Sequence, residues 1–181
     1  MFCNHLFMEN VLPMRKRNRL DFNYSQSGAY FITICTKDRA CILSSVVGDA
    51  TLGVPQIKLT NYGIIVDNLI KNIDHVYKNV SVSSYVIMPN HIQLLLMFND
   101  GTPKGASPTI SALAEIINAL KGLSTKRAGI NLWQRSYYDH IIRDEHDYEI
   151  RWNYIEDNAR RWQEDVYYNS NGMPKEASPT E

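Results

Sequence analysis

The chain has 181 residues, 44% hydrophobic and 21% charged, with a formal net charge of zero. That describes one ordinary globular domain with room for a sizeable core. It excludes a strongly basic nucleic-acid-binding protein or a disordered acidic chain, but not a local basic surface. Cys3, Cys35 and Cys41 are odd in number and lack CxxC spacing, against a disulfide framework or a cysteine-based zinc site. No apolar stretch approaches a membrane span, so a cytoplasmic protein with no membrane partner is expected.

Residues 1–20 read as an arm carrying the basic cluster Arg15, Lys16, Arg17 and Arg19. A single domain is expected over 21–168, followed by a disordered tail over 169–181. Ala29–Thr36, AYFITICT, is rich in β-branched and aromatic residues and reads as a central strand ended by Lys37-Asp38-Arg39. After a Gly- and Pro-containing connection, Gln56–Leu59 reads as a short strand, with Thr60 or Asn61 capping a helix. That helix runs from Tyr62 to His75 on a stripe of Ile65, Val66, Leu69, Ile70 and Ile73. Asn79–Met88 and His91–Phe98 read as paired strands hinged at Met88-Pro89-Asn90.

The segment 99–108 is a loop by composition. A helix is expected from Ile110 to about Lys121, with Leu113, Ile117 and Leu120 buried. Leu132–Arg143 is dense in aromatic and polar groups, with a strand at His140–Ile142. Asp144 caps a last helix whose stripe is Tyr148, Trp152, Ile155 and Ala159, extended by Trp162. The motif K-x-A-S-P-T occurs at Lys104–Thr109 and Lys175–Thr180, too little for a repeat architecture. The order of elements predicts an α+β fold, a ferredoxin-like antiparallel sheet with helices packed on it.

Side chains alternate along a strand, so His91 and Gln93 share one face while Ile92, Leu94 and Leu96 take the other. The pair fits either a structural His beside a hydrogen-bonding Gln or two metal ligands. Tyr154 and Asn158, at i and i+4, project to one place off the apolar stripe. They fit either a joint site or a boundary aromatic with a helix-end Asn.

Taken together, AYFITICTKDR, YVIMPNHIQLLL, KGLSTKRAG, LWQRSYYDHIIRDEHDYE and NYIEDNARRW resemble the REP-associated tyrosine transposases, single-tyrosine members of the HUH (His-hydrophobic-His) endonuclease superfamily. The likeness covers about residues 18–168. It implies a ferredoxin-like domain that nicks and rejoins single-stranded or hairpin DNA through a 5′-phosphotyrosine, using Mg²⁺ or Mn²⁺. It makes Tyr154 the nucleophile and His91 the first metal ligand. Gln93 stands where the family has its second His, an amide oxygen replacing imidazole; viral replication initiators of the superfamily also use Gln there. Asn158 is the implied third ligand, and Ala159 replaces the family's Pro, letting the helix continue. Loss of cleavage with retained hairpin binding is the alternative.

Among the rival tyrosines, Tyr148 is expected to pack in the core, and Tyr137 and Tyr138 to support the site or stack on bases. Lys121, Lys126, Arg127 and Arg135, with the arm residues Arg15, Lys16, Arg17 and Arg19, are the expected DNA-backbone contacts. His140, Cys35 and Cys41 are read as structural. The resemblance leaves both a monomer and a homodimer open.

Overall fold

A computed structural model describes residues 28–48, 55–98 and 112–165. The expected basic arm, the expected loop over 99–108, the expected helix start at Ile110 and the expected tail lie outside the described residues.

Four strands form one antiparallel sheet: β1 (Gly28–Cys35), β4 (Val80–Ile87), β5 (His91–Phe98) and β6 (Tyr138–Ile142), in the order β4-β5-β1-β6. Two further strands, β2 (Ser44–Val47) and β3 (Gln56–Leu59), pair with each other beside it. The helices are α1 (Asn61–Lys71), the short α2 (Ile73–Val76), α3 (Ala112–Ala128) and α4 (Glu145–Glu156). With β1 and β5 central, and a helix before β4 and another before β6, this is the expected ferredoxin-like arrangement.

The central strands are apolar on both faces because both are covered. Tyr30, Ile32 and Ile34 of β1 and Ile92, Leu94 and Leu96 of β5 face α1 and α3. Phe31 and Leu95 point the other way and pack with Val86, Met88, Ile155 and Trp162. Both strands are therefore buried along nearly their whole length.

Thr60 caps α1, accepting from the Gly63 amide at 3.2 Å and donating to the Ile42 carbonyl at 2.6 Å. Gly63 is required by close approach: a Cβ there would lie 2.0 Å from the Leu43 carbonyl oxygen. Asp144 caps α4 by accepting from the Asp147 amide at 2.8 Å, as expected.

Four expectations need correction. The helix expected over Tyr62–His75 breaks at Asn72, beyond which Asp74 accepts the Val82 amide at 2.8 Å and ties the short α2 to β4. The connection after β1 contains β2, whose SSVV segment pairs with β3. The helix expected to end near Lys121 continues to Ala128, because buried Ser124 bonds back to the Leu120 carbonyl at 2.6 Å and accepts from the Trp133 indole at 2.7 Å. Finally, α4 stops at Glu156 despite Ala159. Residues 157–161 form turns, and a 3₁₀ turn at Trp162–Glu164 returns the Trp162 ring to the core.

Candidate active site on the sheet

The site lies on the sheet face covered by α4. In register, Cys35 of β1 pairs with His91 of β5, Thr33 with Gln93, and Phe31 with Leu95. Directly opposed residues in an antiparallel pair share a face, so Cys35, Thr33, His91 and Gln93 form one patch. The turn before His91 is fixed by three backbone bonds: Thr36 to the Asn90 carbonyl at 2.9 Å, Leu43 to the Pro89 carbonyl at 3.0 Å, and Met88 to the His91 carbonyl at 2.9 Å.

His91 is fully buried. Its Nδ1 lies 2.9 Å from Asn90 Oδ1. A carboxamide oxygen only accepts, so Nδ1 carries the proton and the lone pair of the neutral ring sits on Nε2. Burial, reinforced by the positive charge of Arg39, lowers the His91 pKa to about 3. The imidazole is thus neutral across the working pH range, the state a metal ligand needs.

Gln93 and Asn158 are buried and joined directly: Asn158 Nδ2 donates to Gln93 Oε1 at 2.7 Å. Among the described residues, Gln93 Nε2, Asn158 Oδ1 and the Thr33 hydroxyl have no hydrogen-bond partner. Buried polar atoms are seldom left so, and three on one face mark it as built for something beyond packing. The bond to Gln93 also accounts for where Asn158 sits: it is drawn down beside Ile155 onto the sheet just as the regular helix ends.

Tyr154 is half-buried at the end of α4, its ring 6.1 Å from that of Phe31 in an edge-to-face arrangement. Its hydroxyl donates to Asp165 Oδ2 over a long 3.4 Å. Burial, then the charge of Asp165, raise its pKa, while the neighbouring Gln93 amide and the Arg151 guanidinium oppose them. The same sheet corner holds Cys35, whose thiol burial pushes up to about 11, leaving it a neutral thiol.

The structure therefore brings His91, Gln93, Asn158 and Tyr154 together. It separates the rival tyrosines. Tyr148 packs on the α4-side core and bonds Ser83. Tyr138 packs on that core too, whereas Tyr137 packs on the opposite face. His140 is not isolated in the core: its Nε2 lies 2.7 Å from Asp147 of α4. Of the expected DNA contacts, Lys126, Arg127 and Arg135 are exposed. Lys121 instead holds the carbonyls of Gln134 and Arg135 at 2.6 and 3.0 Å, a structural tie. The arm residues lie outside the described residues.

Three neighbours escaped the sequence reading: Arg39, Arg151 and Asp165. Only Arg151 left a signal, four residues after Asp147 and three before Tyr154 on one helix.

Among the described residues, no three His, Cys, Asp or Glu side chains group as a metal site. A divalent ion here would rest on one imidazole and two amides. The neutral His91 and the unpartnered Asn158 oxygen fit such an ion, with Gln93 beside them.

Comparison with known proteins gives a likeness in sequence and a likeness in fold. An uncharacterized protein of Haemophilus influenzae is 32% identical over 165 residues, covering 81% of this chain and 88% of that protein. A structure of a REP-associated tyrosine transposase bound to a REP hairpin matches with a TM-score of 0.59 and 18% identity, covering 83% of this chain and 74% of that one. That likeness establishes a shared fold. No family model matches the chain. Among the described residues, no helix is long and apolar enough to cross a membrane.

Proposed function

We propose that this chain, which belongs to one family with the Haemophilus influenzae protein, is a transposase that nicks and rejoins single-stranded, hairpin-containing DNA through a phosphotyrosine. One observation carries the reading. A tyrosine at the end of α4 meets a buried His, Gln and Asn on the sheet, in the fold shared with a hairpin-bound tyrosine transposase.

Tyr154 is the nucleophile. Its oxygen forms a bond to phosphorus as the bond to the 3′ oxygen breaks, giving a 5′-phosphotyrosine and a free 3′-hydroxyl. The phenol proton passes to solvent or to Asp165, the acceptor already beside it, and the departing oxygen is protonated from water. Attack by a 3′-hydroxyl reverses the step and joins strands without a nucleotide cofactor. His91, Gln93 and Asn158 would hold Mg²⁺ or Mn²⁺, which when bound supplies charge neutralisation at the phosphate. His91 offers its Nε2 lone pair, and Asn90 fixes that tautomer. The exposed Lys126, Arg127 and Arg135, with Arg15, Lys16, Arg17 and Arg19, would follow the DNA backbone. One or two copies of the chain fit this chemistry equally.

The test is incubation with hairpin single-stranded DNA and Mg²⁺ or Mn²⁺, followed by a denaturing gel. A covalent adduct that Tyr154→Phe abolishes is the expected result; binding with no adduct in either metal would sink the cleavage reading. One observation favours a second reading, a non-cleaving hairpin-DNA-binding protein. The direct Asn158–Gln93 bond lets the two amides satisfy each other in part without an ion. Gln93→His separates the two. Little change in cleavage shows that Gln93 serves as it stands; a large gain shows that the present site has decayed.

A further inference from the structure

The three candidate ligands are neutral, and the carboxylate of Asp165 lies against the attacking phenol. A phosphodiester at Tyr154 adds its own negative charge beside that carboxylate, and more develops on its non-bridging oxygens during attack. Alongside a bound ion, a fixed cation of the protein beside Tyr154 shares that charge, and α4 provides one. Arg151 lies one turn before Tyr154, with its guanidinium 5.6 Å from the centre of the Phe31 ring. The other side of that contact network is the Tyr154 ring, edge-on to Phe31 at 6.1 Å.

The seat of Arg151 is constructed. Asp147 Oδ2 lies 2.7 Å from His140 Nε2 on β6, and Asp147 Oδ1 accepts from Arg151 Nε at 3.3 Å. His140 shares the site face, since it pairs in register with Phe31. The bond to Asp147 uses the Nε edge and leaves the terminal nitrogens with their N–H donors in a planar fork. The side chain keeps 29% of its exposure, so an incoming strand can reach it. Its charge already acts on the Tyr154 phenol.

We propose that Arg151 is a catalytic residue of this chain: its guanidinium, seated on Phe31 and held at Nε by Asp147, hydrogen-bonds the non-bridging oxygens of the phosphate that Tyr154 attacks. Asp147 and His140 are positioning residues. The proposal rests on the nicking reading and adds to it the group that grips the reacting phosphate. No additional reactant enters; the phosphate charge is neutralised by hydrogen bonds that strengthen as the Tyr–phosphorus bond forms.

The experiment is a cycle between protein and DNA. A hairpin oligonucleotide is selected for binding to the Tyr154→Phe protein from a pool with randomised single-stranded flanks. Copies of it are then made with one uncharged methylphosphonate at each successive flank linkage. In the Tyr154→Phe background, one linkage should weaken binding by about tenfold when neutralised, the size of a charge-assisted contact. With Arg151→Gln added, the same substitution should cost less than about twofold, because the partner has gone. In the active protein, Arg151→Gln should slow adduct formation by about 10²–10³-fold, the loss of one preorganised donor. Arg151→Lys, which retains charge and stem but not the fork, should recover part of it. Asp147→Asn, which keeps an acceptor for Nε, should retain more activity than Asp147→Ala.

Equal methylphosphonate penalties with and without Arg151 at every linkage overturn the proposal while leaving nicking intact. Wild-type protein that forms no adduct overturns the nicking reading itself, and the binding cycle then still decides whether Arg151 holds a phosphate. Failure to select any DNA overturns both. Arg151→Lys guards against a folding defect, since its melting temperature should match that of the parent.

Discussion

The two faces of the central sheet are made from the same strands and do opposite things. Facing α1 and α3, the strands present Tyr30, Ile32, Ile34, Ile92, Leu94 and Leu96, and the buried Ser124 there is bonded twice over. Facing α4, alternate residues of those strands present Thr33, His91 and Gln93, and Thr33, Gln93 and the facing Asn158 each keep a polar atom without a hydrogen bond among the described residues. One face is closed by packing; the other keeps buried polar atoms for which the surrounding side chains supply no partner. The difference teaches where to look for function: where stability has been forgone.

The contrast breaks most severely at Gly63, where α1 passes over the Leu43 carbonyl. Gly63→Ala should destabilise the fold by more than about 3 kcal/mol in urea titration, because the obstacle is backbone and cannot rotate away. Leu94→Ala, which empties a fully buried position on the apolar face, should cost about 3 kcal/mol. Neither should change the metal dependence of any remaining adduct formation.

A smaller effect belongs to the polar face and to pH. Folded His91 titrates near 3, below the ordinary 6.5 of an unfolded His. Below pH 6.5 the unfolded chain takes up a proton that the folded chain refuses, so this contribution to stability is complete above 6.5 and is lost as pH falls towards 3. In chelator, the wild type should lose up to about 1.4 kcal/mol per pH unit more across that window than His91→Asn.

The smallest pair sharpens the contrast within one strand and its end. Thr33→Val removes an unmet buried hydroxyl and should stabilise by about 1 kcal/mol. Thr36→Val removes a hydroxyl placed 2.8 Å from the Ala40 carbonyl and 3.0 Å from that of Asn90, and should destabilise by about as much. Equal effects of like sign would show that the unmet groups of the site face are met in solution.

Local pattern carried most of the fold. The period-two alternation of His91–Phe98 placed its two faces correctly, and the capping roles of Thr60 and Asp144 follow from side chains that serve their own helix starts. What was not legible depended on distant partners. The SSVV strand needs β3, and the last turns of α3 need the Trp133 indole. The end of α4 needs Gln93, whose pull on Asn158 no helical propensity encodes. The site followed the same rule. His91, Gln93, Tyr154 and Asn158 were visible through motif likeness and spacing. Asp165 entered through a turn that brings the chain back, and Arg151 acquired meaning only once Phe31 and Asp147 were placed around it.

The termination of α4 has a mechanical consequence. At its start, Asp144 caps the helix and Asp147 ties it to His140; at its end, Asn158 is pinned to Gln93 and Trp162 is packed in the core. Tyr154, the proposed nucleophile, is mounted on a beam clamped at both ends rather than on a free lever. A DNA strand hanging from Tyr154 would load that beam in bending, and the load would pass into the sheet through three separate anchors, at His140, at Gln93 and at the packed Trp162.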